Sequence, residues 1–98
     1  MPVRRQQAVQ ILTNHLAELR LFGVVGVELI GSVARDQARP DSDVDLLVEL
    51  RPGVGLREFM GLKFRLEQLL ACPVDLVTRA SLSAEQRAAV ELDMVHVA

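Results

Sequence analysis

Apolar positions along this chain recur first at helical spacing, then as short runs, then at helical spacing again, and that order predicts an α/β domain. Val9, Leu12, Leu16 and Leu19 fall three and four apart, the stripe of an amphipathic helix. With Pro2 suited to a first helical turn, this helix is expected from about Pro2 to Phe22. His15 falls near the stripe and reads as structural. Val24, Val25, Val27, Leu29 and Ile30 follow as an apolar run, giving a first strand at about Val25–Ile30, and a second strand is expected at Asp43–Glu49. Arg51-Pro52-Gly53-Val54-Gly55 is loop chemistry. Leu56, Phe59, Leu62, Leu66 and Leu69 mark one face of a further helix. Pro73-Val74-Asp75-Leu76-Val77 is too short for a helix and suits a buried third strand over Val74–Thr78. Ser83 with Gln86 three positions on makes a capping box that opens a last helix. The end, Asp93–Ala98, fits either a fraying helix or a short edge strand. The fold class expected is α/β (α+β): a small mixed sheet flanked by helices, in one domain over 1–98.

Composition narrows the partners. Half of the 98 residues are hydrophobic, which leaves apolar surface for a partner or a second copy, so a homo-oligomer is an open expectation. A net charge of −2 argues against a binder of phosphate backbones. Three phenylalanines, no tryptophan and no tyrosine leave little to stack on bases, so nucleic acid is not the expected substrate. One cysteine excludes an internal disulfide, and Cys72 beside Pro73 reads as a buried core thiol. Gln10, Thr13 and Asn14 break any signal-peptide core behind Arg4 and Arg5. No apolar stretch approaches the ~18 residues of a membrane span. The expected setting is cytoplasmic.

The chemistry concentrates in one stretch, where Gly31-Ser32 precedes Asp43-Val44-Asp45 by ten residues. A small-residue turn at the end of one strand and a carboxylate pair on the next are thereby placed on adjacent strands, joined by one crossover. Side chains alternate along a strand, so Asp43 and Asp45 project from one face, separated by about 6.6 Å. Two carboxylates at that spacing can converge on metal ions about 3.5–4 Å apart. Oxygen-only ligands point to a hard cation, Mg²⁺ foremost. Asp75 is the natural third carboxylate, because an acidic residue inside a buried strand needs a partner or a metal.

Competing readings fall on particular residues. Asp41 and Ser42 fit an Asx turn. A calcium loop starting at Asp41 fails, since Leu46 stands where it needs glycine and Pro52 where it needs glutamate. Ser32 lacks the glycine-flanked elbow of a nucleophile, its neighbours two positions away being Ile30 and Ala34. As a phosphate binder it has what it needs: Gly31 permits close backbone approach, Val33-Ala34-Arg35 opens a short helix, and Arg35 supplies a cation.

Gly-Ser, the ten-residue gap and Asp-x-Asp together resemble the signature of the polymerase-beta-like nucleotidyltransferases, and the short length resembles their minimal branch, the antitoxin partners of HEPN-domain toxins. The resemblance covers essentially the whole chain. It implies that Gly31 and Ser32 bind a nucleoside triphosphate, most simply ATP. It further implies that Asp43, Asp45 and Asp75 are catalytic and hold two Mg²⁺ ions, with Asp75 helping to deprotonate the acceptor hydroxyl. The implied reaction is AMP transfer to a hydroxyl, tyrosine by resemblance, of a HEPN toxin. Two other functions stay open: an antitoxin that acts by binding alone, and one subunit of a small-molecule nucleotidyltransferase. Asp36 stands where many of these proteins carry glycine.

Overall fold

The computed structural model describes residues 3–98. Its elements run α1 (Arg5–Asn14), α2 (Leu16–Leu21), β1 (Val24–Ile30), α3 (Gly31–Ala34), β2 (Val44–Leu50), α4 (Leu56–Leu70), β3 (Val74–Thr78), a 3₁₀ turn (Arg79–Ser81), α5 (Ala84–Asp93) and β4 (Val95–His96). The four strands form one mixed sheet in the order β3-β2-β1-β4. β1 is antiparallel to both β2 and β4, whereas β2 and β3 are parallel.

That pattern revises one expectation about the connections. β1 and β2 are adjacent as expected, but they are antiparallel, so the stretch carrying the Gly-Ser turn returns directly. The crossover is α4, because parallel neighbours can be joined only by a long excursion.

Alternation decides which strand residues meet the helices. Val44, Leu46 and Val48 of β2 join Val27 and Leu29 of β1 and Val74 and Leu76 of β3 in one buried cluster, into which Ala8 and Leu12 of α1, Leu19 of α2 and Leu62, Leu66 and Leu70 of α4 pack. Asp45, Leu47 and Glu49 therefore belong to the other sheet face. Ile30 and Leu47, also buried, lie outside the cluster.

The first helix is two helices, not one. The chain breaks at His15 (φ −118°, ψ 16°), whose ring Nδ1 stands 2.7 Å from the carbonyl oxygen of Ile11. The break keeps Leu12 and Leu19 on the buried side, so the apolar stripe survives it. The Pro2 start lies outside the described residues. α4 also differs from expectation: Leu62, Leu66 and Leu70 make its buried line, while Leu56 is 75% exposed. Arg65 of α4 forks onto Glu18 of α2, with Nη2 3.1 Å from Oε1, and ties the two helices together. The capping box forms as the sequence indicates: Ser83 Oγ accepts from the Gln86 N–H at 3.1 Å, and Gln86 Oε1 accepts from the Ser83 N–H at 2.8 Å. The ambiguous end resolves into a two-residue edge strand, with Glu28 opposite His96. Among the described residues no helix is long and apolar enough to cross a membrane.

Candidate active site

β1 delivers Ile30 to the end of the sheet, and the chain turns there into a single helical turn, α3. The turn begins at Gly31 itself, two residues before the expected Val33, and Gly31 takes φ +73°, a region that side-chain-bearing residues rarely enter. Space excludes a side chain there as well. A Cβ built on Gly31 would lie 2.2 Å from Asp45 Oδ2 and 3.0 Å from its Cγ. Gly31 is thus the surface against which the Asp45 carboxylate rests. Val33 and Ala34 are buried and anchor the turn in the core, leaving Gly31 and Ser32 half-exposed on its outer side. The Gln37 N–H closes the turn on the Ser32 carbonyl at 2.8 Å.

Register assembles the carboxylates. Asp45 stands between Ile30 of β1 and Asp75 of β3, each its direct partner across the ladder. Asp43 lies one residue before β2, where the Val44 N–H donates to the Pro73 carbonyl at 3.0 Å. Burial pushes the Asp45 carboxyl above the ordinary aspartate range, the negative charges of Asp75 and Asp43 push it further, and Arg35 partly offsets them. All three carboxylates and Arg35 therefore act on one spot.

Burial differs from the sequence expectation for Asp75. It is exposed, since it alternates away from Val74 and Leu76, so the cost of burying a lone carboxylate falls on Asp45 instead. The side chains are aligned rather than gathered. Among the described residues no three His, Cys, Asp or Glu side chains stand close enough together to hold a metal ion as they are. The donor chemistry nevertheless fits a hard cation. The donors are all oxygens, and the crowded charge at Asp45 is what a cation would relieve.

Arg35 reaches the site by charge, while its guanidinium is otherwise engaged: Nη1 lies 3.8 Å from Asp93 Oδ2 of α5, and Nε donates to Gln37 Oε1 at 3.3 Å. Nothing in the sequence pattern marked Asp93 as its partner, because the contact joins the site to a helix nearly sixty residues on. Asp36 shows why a non-glycine is tolerated beside the turn. It adopts φ +57°, a conformation that aspartate enters more readily than most residues, and its Oδ1 accepts the Arg5 N–H at the first residue of α1 at 3.3 Å. Its charge is matched to a helix N-terminus. Cys72 is half-buried rather than fully buried, and burial, with the charges of Asp43 and Glu67, holds its thiol up.

The model of the nucleotidyltransferase domain family matches residues 12–95. The protein adenylyltransferase MntA of Thermococcus cleftensis is 40% identical over 93 residues, covering 94% of each chain. A solved structure carrying the provisional name of minimal nucleotidyltransferase superposes with a TM-score of 0.82 at 34% identity, covering 95% of both chains. A similar fold is found in the structure of the tri-AMPylated Shewanella oneidensis HEPN toxin in complex with MNT antitoxin. That match has a TM-score of 0.66 at 22% identity and covers 92% of this chain and 71% of the other.

Proposed function

The chain belongs to the nucleotidyltransferase domain family, and on that premise we propose that it moves the AMP moiety of ATP onto a hydroxyl of a HEPN-domain toxin, tyrosine first among acceptors, and so silences it. The observation that carries the reading is the Gly31 backbone pressed against the Asp45 carboxylate, with Asp75 in register and Asp43 alongside. Phosphate-binding and metal-binding parts of the motif are thereby one contact apart.

In this reading the triphosphate lies along the Gly31-Ser32 turn, where the missing Cβ permits close approach and the Ser32 hydroxyl can donate. Mg²⁺, two ions in the full site, would be held by Asp43, Asp45 and Asp75 and would supply charge neutralisation and activation of the acceptor hydroxyl. Asp75 is exposed at the sheet edge and meets the incoming hydroxyl, whose proton it takes. The acceptor oxygen bonds to the α-phosphorus, the bond from that phosphorus to the bridging oxygen breaks, and pyrophosphate leaves. Arg35 exchanges Asp93 for a phosphate oxygen.

The test uses what the chain lacks. It has no tyrosine, so incubation alone with Mg²⁺ and ATP is expected to leave its mass unchanged. Addition of a candidate HEPN-domain toxin partner is expected to shift that partner's mass by whole AMP units, read by intact mass spectrometry. Silencing of the toxin without a mass shift would favour inhibition by binding. Rapid labelling of this chain with none on the partner would overturn the intermolecular reaction.

A further inference from the structure

The turn that Arg35 closes is also the main seat of the last helix. α3 is the element that α5 chiefly meets, and the backbone N–H of Arg35 donates to the Gly31 carbonyl at 3.2 Å. From that fixed base the guanidinium lies between two sources of negative charge. On one side Nη1 stands 3.8 Å from Asp93 Oδ2, at the end of α5. On the other are Asp45 and its acidic neighbours, whose charge Arg35 partly offsets. The side chains of Arg35 and Asp93 are 42% and 44% exposed, so no packed core holds the pair together.

The last turn of α5 has little else to fix it. The helix buries no residue, and Leu92, beside Asp93, is 84% exposed. Its first turn is fastened by the Ser83–Gln86 box, and Arg87 donates from Nη2 and Nε to the Arg79 carbonyl at 3.0 and 3.2 Å. Past Asp93 the chain runs through Met94 into β4, only two residues long and paired to β1. Among the described residues, the ion pair that α5 makes is Asp93 with Arg35. A segment with few buried contacts responds to the loss of a single tie.

We propose that Asp93 is a positioning residue for the nucleotide: its carboxylate engages Arg35 before ATP binds, the triphosphate then takes its place, and the last turn of α5 loosens. The proposal rests on the reading of Gly31-Ser32 as the phosphate turn and deepens it. Carboxylate and phosphate offer a guanidinium the same recognition, anionic oxygens that match its planar fork, and the triphosphate carries the greater charge. The exchange joins two events. Nucleotide affinity is lowered by the pair that must break, and occupancy of the phosphate turn is felt at a helix distant in sequence.

Calorimetric titration of the full chain with ATP and Mg²⁺ compares wild type, Asp93→Asn and Glu91→Gln, the last removing the same charge from an exposed position of the same helix. Exposed ion pairs are weak, so Asp93→Asn is expected to lower the Kd for ATP about threefold, with Glu91→Gln matching wild type. In an Arg35→Gln background Asp93→Asn should change nothing. With a candidate HEPN-domain toxin as acceptor, kcat should be the same in wild type and Asp93→Asn, because the pair is already broken when transfer occurs. Hydrogen exchange supplies the second readout. ATP is expected to slow exchange at residues 31–37 and to speed it about threefold at 90–94, and Asp93→Asn should speed 90–94 without ATP. An Asp93→Asn Kd at or above wild type, a gain matched by Glu91→Gln, or exchange at 90–94 unchanged or slowed by ATP would overturn the role of Asp93. A wild type that binds ATP with the α5 response yet transfers no AMP would overturn the adenylyltransferase reading and leave that role standing.

Discussion

An Asp45→Asn protein is expected to lose nucleotidyl transfer by about three orders of magnitude or more while its metal-free form becomes harder to unfold. The two effects share one cause. Asp45 is pushed above its ordinary value of 3.8 by burial, then by Asp75 and Asp43, so its charged form is less comfortable in the folded chain than in the unfolded one. A carboxyl raised on folding contributes stability that is fully present below its unfolded value and is lost as pH rises through its folded value. At neutral pH that contribution is gone, and the residual strain of the charged site remains. Asparagine removes the charge at nearly the same volume. The difference between wild-type and variant unfolding midpoints should therefore open as pH climbs out of the acid range, with the variant the more stable. Divalent cation should reverse the ranking. At tenfold excess over its Kd, Mg²⁺ adds about 1.4 kcal/mol, which for a domain of this size raises the wild-type midpoint by roughly 5–10 °C. The variant should show little of that rise. Thermal melts across pH, with and without Mg²⁺, read all three results; a wild type indifferent to the ion, or a variant that retains transfer, would sink the metal assignment.

Gly31→Ala carries the second large effect. The substitution meets two penalties at once, a φ of +73° and a Cβ directed at Asp45 Oδ2. Gly53 separates them, because it also has positive φ (+92°) but nothing within 4 Å of the added carbon. Gly53→Ala is expected to cost about 1 kcal/mol from backbone strain alone. Gly31→Ala should cost about 2–3 kcal/mol, since the carboxylate or the turn must also move. Its transfer rate should fall about a hundredfold or more, as misplacement by an ångström at a reacting centre does. Equal losses of activity in the two variants would mean that the Gly31–Asp45 contact has no part in catalysis.

Much of this was legible in the residues. Short apolar runs placed the strands within a residue, and the serine-glutamine box marked the start of α5, because both signals are local. The Gly-Ser turn, Asp43 and Asp45 were readable for the same reason, lying within fifteen residues of one another. The break at His15 was not, since Leu12 and Leu19 stay buried on either side of it and periodicity records only which face is apolar. Nor was the exposure of Asp75: a polar residue within an apolar run looks buried until one knows that only alternate positions face the helices. The pairing of Arg35 with Asp93 depends on elements distant in sequence, and single-chain patterns carry no record of such meetings.

The order of the strands also sets how firmly each part of the site is held. β2 has neighbours on both sides, so Asp45 cannot leave its place unless two ladders are broken. β3 is an edge strand with one neighbour, and Asp75 rides on it. Partial opening of a folded chain begins where least is broken. The amide protons of Val74–Thr78 should accordingly exchange with solvent ahead of those of Val44–Leu50 in a hydrogen-exchange time course. A molecule opened in that way keeps Gly31 against Asp45 and loses only Asp75, the group proposed to take the acceptor's proton. Catalytic competence would then have its own, smaller opening free energy, distinct from that of the fold.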